Sequence, residues 1–198
     1  VELRDLLIQR RMTRSFDGTP VDPIWLDDVC AQALLAPTAG NSAGVRLYTL
    51  SAQHVTAYFR HATDETWRKN SRRSEGLQRA GGVVLVTARV QDYLARYAEA
   101  DKAYAGLSAR SSWPLPYWHT DAAMATMALL LLLEEGGWQA TIWGNFRNAD
   151  AVLEWAGIED EELFCSLLIG HGDGQDEMSN SLRRVVLPRP ERVRRLEP

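Results

Sequence analysis

Three arginines fall within five positions at Arg10, Arg11 and Arg14, in the stretch RRMTRSF. A guanidinium presents a planar fork of N–H donors and keeps its charge at any working pH, so such a cluster can hold a phosphate. Arginines at a helix end also complement the helix dipole by roughly a few tenths of a kcal/mol, and for the cluster taken alone that role stays open. A second stretch, APTAGN at Ala36–Asn41, combines small residues with an amide side chain and could set backbone amides against a flat polar ligand; it could equally be a plain helix terminus. A third, ATIWGNF at Ala140–Phe146, contains Gly144, which permits close backbone approach. Other chemistries lack their signatures. There is no GxGxxG or GxxxxGK[ST], no GxSxG and no HExxH, and His54, His61, His119 and His171 are scattered, so no metal site is expected. The acids Glu159–Glu162 read as a solvated turn.

The elements that must position these stretches follow from composition and apolar period. The chain has 198 residues, 45% hydrophobic, which suits a single domain over residues 1–198 with a large core. Its net charge of −4 opposes nucleic acid or an anionic membrane as a partner. Only Cys30 and Cys165 are present, each in an apolar context, and VELRDLLIQRR lacks the pattern of a secretory signal; a cytoplasmic protein is expected. The run AAMATMALLLLL, residues 122–133, is too short to span a bilayer and reads as a buried helix. A helix apolar on every side needs cover on every side, which predicts a homodimer.

Strands are predicted at residues 45–50, 82–88, 138–143 and 163–169, with the second central because it is apolar throughout. Helices are predicted at residues 2–9, from Asp22-Pro23 through residues 24–36, and at about 52–61, 91–104, 119–135 and 149–156. Residues 63–74, which carry Arg68, Lys69, Arg72 and Arg73, read as a solvated, mobile loop, and residues 183–198 carry six arginines.

Taken in order, RRxxRxF, APxxGN about twenty residues later, D-x-A before a long apolar helix, a Gly pair and a TIWGxF-like turn resemble the FMN-dependent nitroreductase family along the whole chain. That resemblance implies an α+β fold, a mixed central sheet flanked by helices, in an interlocked homodimer with FMN at the interface. It implies that Arg10, Arg11 and Arg14, joined by Arg183, lie near the FMN phosphate and ribityl chain. Pro37, Thr38 and Asn41 would reach the flavin from the partner subunit, and the backbone of Trp143 and Gly144 would face the ring edge, where an N–H tunes hydride chemistry at N5. The chain departs from the family pattern at Met12, often serine, at Ser181, often lysine, and at Ala43-Gly44-Val45, where QPW is common.

The implied activity is ping-pong hydride transfer from NAD(P)H to an electron-poor acceptor, a nitroaromatic or quinone-like molecule, in which stacking of the two rings replaces a catalytic acid or nucleophile. Trp113, Tyr117 and Trp118, held among prolines, would either shape the acceptor pocket or anchor the dimer. The competing expectations are a flavin-dependent oxidase or dehydrogenase of a small molecule or peptide-derived ring using O2, and a flavin-sequestering protein without turnover. Nucleic-acid binding through the arginine-rich tail is opposed by the net charge.

Overall fold

The computed structural model describes residues 1–176 and 179–196. Helices α1 (Leu3–Gln9) and α2 (Pro23–Ala33) precede strand β1 (Val45–Ser51). Three short helices, α3 (Val55–Ala62), α4 (Glu65–Asn70) and α5 (Ser74–Gln78), lead to β2 (Gly82–Ala88). Then come α6 (Val90–Ala98), α7 (Tyr117–Glu135), β3 (Gln139–Trp143), α8 (Ala149–Ala156) and β4 (Glu162–Gly170). At α2 the start signal acts as expected. The Asp22 carboxylate accepts from the N–H groups of Ile24 at 2.8 Å and Trp25 at 3.0 Å, and Pro23 occupies the first turn.

The four strands form one sheet in the order β1-β2-β4-β3. All pairings between them are antiparallel, so the mixed character expected of the sheet is reduced to one parallel bridge, Met12 with Ala140. Every residue of β2 is buried, in keeping with its continuous apolar run. Alternation divides the strand between two cores. Val84 and Val86, with Cys165, Leu167 and Ile169 of β4, pack under α2 and α7. Val83 and Leu85, with Leu168, meet α3, α5, Val152 of α8 and Phe16 on the opposite face.

Several boundaries differ from the sequence reading. The helix expected to run through residue 36 stops at Ala33, because Pro37 disfavours helical geometry in the residue before it. The helix expected at 91–104 ends at Ala98, and that at 52–61 begins as a 3-10 turn. The largest correction concerns residues 63–74, which form α4 and the beginning of α5 rather than a solvated loop. Asp64 caps α4 by accepting from Trp67 N–H at 2.6 Å, and the Trp67 ring stacks on Phe59 at 6.1 Å and meets Trp143 edge-on at 5.0 Å. Arg68 donates to the terminal carbonyls of α3, Phe59 at 3.2 Å and Thr63 at 2.5 Å, so its charge serves a helix end.

Helix α7 buries Ala122, Ala125, Leu129 and Leu133 against the sheet, but Met124 remains 46% and Met127 37% exposed. Among the described residues no helix is long and apolar enough to cross a membrane. No group of three or more His, Cys, Asp or Glu among them could hold a metal ion.

Two outcomes follow from this packing. Leu129→Ala should lower unfolding free energy by about 2–5 kcal/mol, measured by denaturant titration, because it opens a cavity between α7 and the sheet. Burial pushes the Cys30 thiol up to about 12 and the Cys165 thiol up to about 11, so neither should react with a thiol reagent at about pH 8 until denaturant is added.

Candidate functional site

The stretch RRMTRSF is pinned by its uncharged members. Met12 packs on the α2/α7 core and bridges Ala140; Thr13 N–H donates to the Ala140 carbonyl at 3.1 Å, and Phe16 is fully buried on the opposite core. On its other side the segment runs along residues 171–176. Ser15 Oγ donates to the Asp173 carboxylate at 2.7 Å, Asp17 N–H to the His171 carbonyl at 2.9 Å, and Arg14 N–H to Asp176 Oδ2 at 2.9 Å. Gly76 allows α5 to close over this segment, since a Cβ there would fall 2.4 Å from Ser15 Oγ. The apolar side chains are thus drawn inward, and the arginines are left on the outside of a fixed backbone.

Those arginines line a groove of about 1200 Å³ with Arg4, Leu7 and Ile8 of α1 and with Asp176, Ser179, Ser181 and Arg189. Arg11 also caps α1, its Nη1 donating to the carbonyls of Ile8 at 2.6 Å and Gln9 at 3.0 Å. Arg10 Nη1 is buried without a hydrogen-bond partner among the described residues, a costly state for a charged donor and one that an incoming anion would relieve. Arg14 also borders a smaller recess of about 70 Å³ with Ser15, Arg72, Arg73 and Gly76. Burial first, and then the positive charge of Arg73, lower the Arg14 pKa from its ordinary value, against the opposing pull of Asp176. Arg73 Nε is a second buried donor without a partner among the described residues. The arrangement is a cationic cleft suited to a phosphorylated ligand.

The other stretches lie elsewhere. Arg183 is exposed on a 3-10 turn, Asn180–Arg183, and does not line the groove, whereas Arg189, unforeseen from sequence, does. Pro37, Thr38 and Asn41 stand near the start of β1, where Gly44 carbonyl accepts from Arg89 N–H at 2.8 Å. By sheet register this is the Ala88 end of β2, while the arginine segment sits at the Gly82 end, opposite Ile169. Six residue steps separate those ends, roughly 20 Å at the usual strand rise. A ligand touching both from one chain would have to run the length of the sheet.

At the end of β3, the Trp143 ring turns into the core against Phe59 and Trp67, leaving its backbone and Gly144 at the turn. Asn145 anchors that turn: its Nδ2 donates to Ser166 Oγ at 2.7 Å and its Oδ1 accepts from Tyr58 O–H at 3.1 Å, all buried. Of the three aromatics expected to shape an acceptor pocket, Trp113 and Trp118 are buried within the subunit and only Tyr117, 39% exposed, is presented outward. Trp113 donates to Leu107 carbonyl at 2.7 Å and meets Tyr97 edge-on at 4.7 Å. Trp118 Nε1 donates to Glu162 at 3.2 Å. Glu162 also pairs with His119 at 2.7 Å and Arg110 at 2.6 Å, and Glu161 accepts from Tyr48 and Thr87 hydroxyls. Half of the expected solvated acidic turn is therefore a structural network at the start of β4.

Sequence reasoning missed Arg4, Arg73, Asp176 and Arg189 at the cleft. Arg4 shares a helix face with Leu7 and Ile8, a spacing visible in the sequence; Asp176 reaches Arg14 across 162 positions, and nothing local signals it. Asn145→Ala should cost about 1–3 kcal/mol of stability by thermal or denaturant unfolding, because it strands the Tyr58 and Ser166 hydroxyls in the core.

Residues 7–171 match the sequence profile of the Nitroreductase family. No curated protein sequence gives a significant match. Among solved structures, a nitroreductase family protein from Streptococcus pneumoniae TIGR4 superposes with TM-score 0.74 at 20% identity, covering 98% of this chain and 100% of that one. A nitroreductase-type protein from Exiguobacterium sibiricum 255-15, solved in complex with FMN, gives TM-score 0.75 at 16% identity over 99% and 98% of the two chains. The nitroreductase CinD from Lactococcus lactis, in complex with nicotinic acid, gives 0.68 at 18% identity over 94% and 100%. With the profile covering most of its length and the fold shared end to end, this chain belongs to the nitroreductase family.

Proposed function

We propose that this protein is an FMN-dependent oxidoreductase that passes reducing equivalents from NAD(P)H to an electron-poor acceptor, nitroaromatic or quinone-like. The observation that carries this reading is the buried, unpartnered Arg10 Nη1 in a groove that also presents Arg11 and Arg14, in a chain of the nitroreductase family. FMN fits that cleft: its phosphate would take the free donor of Arg10 and the charge of Arg14, with Arg73 and the Ser179 and Ser181 hydroxyls within the same system of recesses. When bound, FMN would supply the two-electron chemistry that links a nicotinamide donor to the acceptor.

The chain's own part is binding and orientation. The arginines neutralise and locate the phosphate, Arg189 adds charge in the same groove, and the turn at Trp143–Gly144 offers backbone N–H groups to the ring edge on a loop fixed by Asn145. Pro37, Thr38 and Asn41 act on the flavin of a second copy, which the distance along the sheet favours. The exposed Met124 and Met127 of α7 fit such a homodimer, since a second copy would cover them.

The purified protein should be yellow, and anaerobic NADPH or NADH should bleach it. A yellow protein that neither nucleotide bleaches would favour the oxidase or sequestering alternative, and a colourless one that FMN cannot reconstitute would sink the cofactor assignment. Arg10→Ala and Arg14→Ala should each raise the FMN dissociation constant by about 10- to 100-fold, the equivalent of losing about 1.5–3 kcal/mol from a charge-assisted hydrogen bond, as read by flavin fluorescence titration.

A further inference from the structure

The loop from Thr38 to Ala43 carries three residues at positive φ. Gly40, Asn41 and Ala43 have φ of 62°, 55° and 50°; glycine and asparagine enter this left-handed region readily, whereas for Ala43 the Cβ makes it a strained conformation. Such a backbone persists only where surrounding contacts over-determine it. The contacts come from two helices. From α7, the Asp121 carboxylate, 2% exposed, accepts from Ala39 N–H at 2.7 Å and from the Tyr93 hydroxyl at 3.0 Å. From α6, Arg96 Nε donates to the Gly40 carbonyl at 2.9 Å, while its Nη1 and Nη2 hold Asp101 at 2.7 Å each. The Tyr97 ring lies against Gly40, where a Cβ would come within 2.8 Å of it. Asn41 itself is left exposed. A buried carboxylate, a charged hydrogen bond and a packed ring thus fix the backbone at Ala39 and Gly40, just before one outward amide side chain.

We propose that Asp121, from within, and Arg96, from outside, are positioning residues that preset the Thr38–Ala43 loop for binding flavin. Neither touches the ligand in this scheme; both act through the loop, and the inference rests on the flavin reading given above. Arg96 has a second consequence. Because the same guanidinium holds Asp101, at the beginning of the segment that leads to Trp113 and Tyr117, the loop and that aromatic segment are tied to one anchor.

The test compares FMN affinity with thermal stability in the full-length protein. Asp121→Ala should raise the FMN dissociation constant at least tenfold, whereas Asp121→Asn, which keeps an oxygen acceptor for Ala39 N–H, should bind within about threefold of the unaltered chain. Leu129→Ala, buried on the same helix but away from the loop, should lower the melting temperature yet leave FMN affinity within about twofold. Should Asp121→Ala not fold, Arg96→Ala, nearer the surface, carries the same expectation of weakened flavin binding. Unchanged affinity in Asp121→Ala or, in its place, in Arg96→Ala overturns the proposal, as does an equal loss in Leu129→Ala, which would mark the effect as general destabilisation. If the unaltered protein binds no FMN, the flavin reading falls and this inference with it. That outcome is distinct from failure of the positioning role, where the parent binds and the variants bind equally well.

Discussion

A strand with no wet face is the constraint from which the rest of this structure follows. Every residue of β2 is buried, with Val83 and Leu85 on one side of the sheet and Val84 and Val86 on the other. Two helical layers are therefore required, and the chain supplies α2 with α7 on one face and α3, α5 and α8 on the other. With both faces covered, polar chemistry has no room over the middle of the sheet. It is displaced to the edge strand β3 and to the two ends of β2 and β4, where the arginine segment, the Trp143–Gly144 turn and the Thr38–Ala43 loop are found.

At each of these places the same division of labour recurs. Buried side chains of low chemical interest fix a backbone, and the polar groups that could meet a ligand project from it. Phe16 and Thr13 do this for the arginines, Asn145 for the turn after β3, and Asp121 for the loop after α2. A fixed backbone of this kind suits the proposed flavin chemistry, which would depend on holding two rings at contact distance more than on any acid or base. The cleft's electrostatics fit the same purpose, since two guanidinium nitrogens stay buried and without partners among the described residues while Arg73 acts on Arg14 as a like charge.

How far the sequence alone carries this picture differs by element. All four strands and the long helices were legible, because apolar period and the Asp22-Pro23 and Gly136-Gly137 signals are local. Residues 63–74 were not. Their polar composition resembles a loop, and only the long-range contacts of Trp67 with Phe59 and Trp143 make a helix worthwhile there. The arginine cluster was visible as a possible anion site, but its counterparts Arg73, Asp176 and Arg189 come together only through the fold. Trp113 and Trp118 looked available for stacking on a substrate, yet Leu107 and Glu162, which satisfy their indole N–H groups, draw them inward.

The antiparallel register also bears on assembly. β1 begins opposite the end of β2, so the loop before β1 is carried to the far end of the sheet from the segment that pairs beside β3. No local rearrangement of either stretch can remove a separation set by the paired lengths of β2 and β4. The proposed flavin site calls on both stretches, and stretches at opposite ends of one sheet are most economically united by a second copy related by a two-fold axis, where each end meets the other end of its partner. The uncovered methionines of α7 supply an apolar surface for that meeting, on the helix whose Asp121 fixes the loop in question. In the proposed arrangement, the helix that holds the loop from inside the subunit is also the one through which a partner would bring that loop to its flavin.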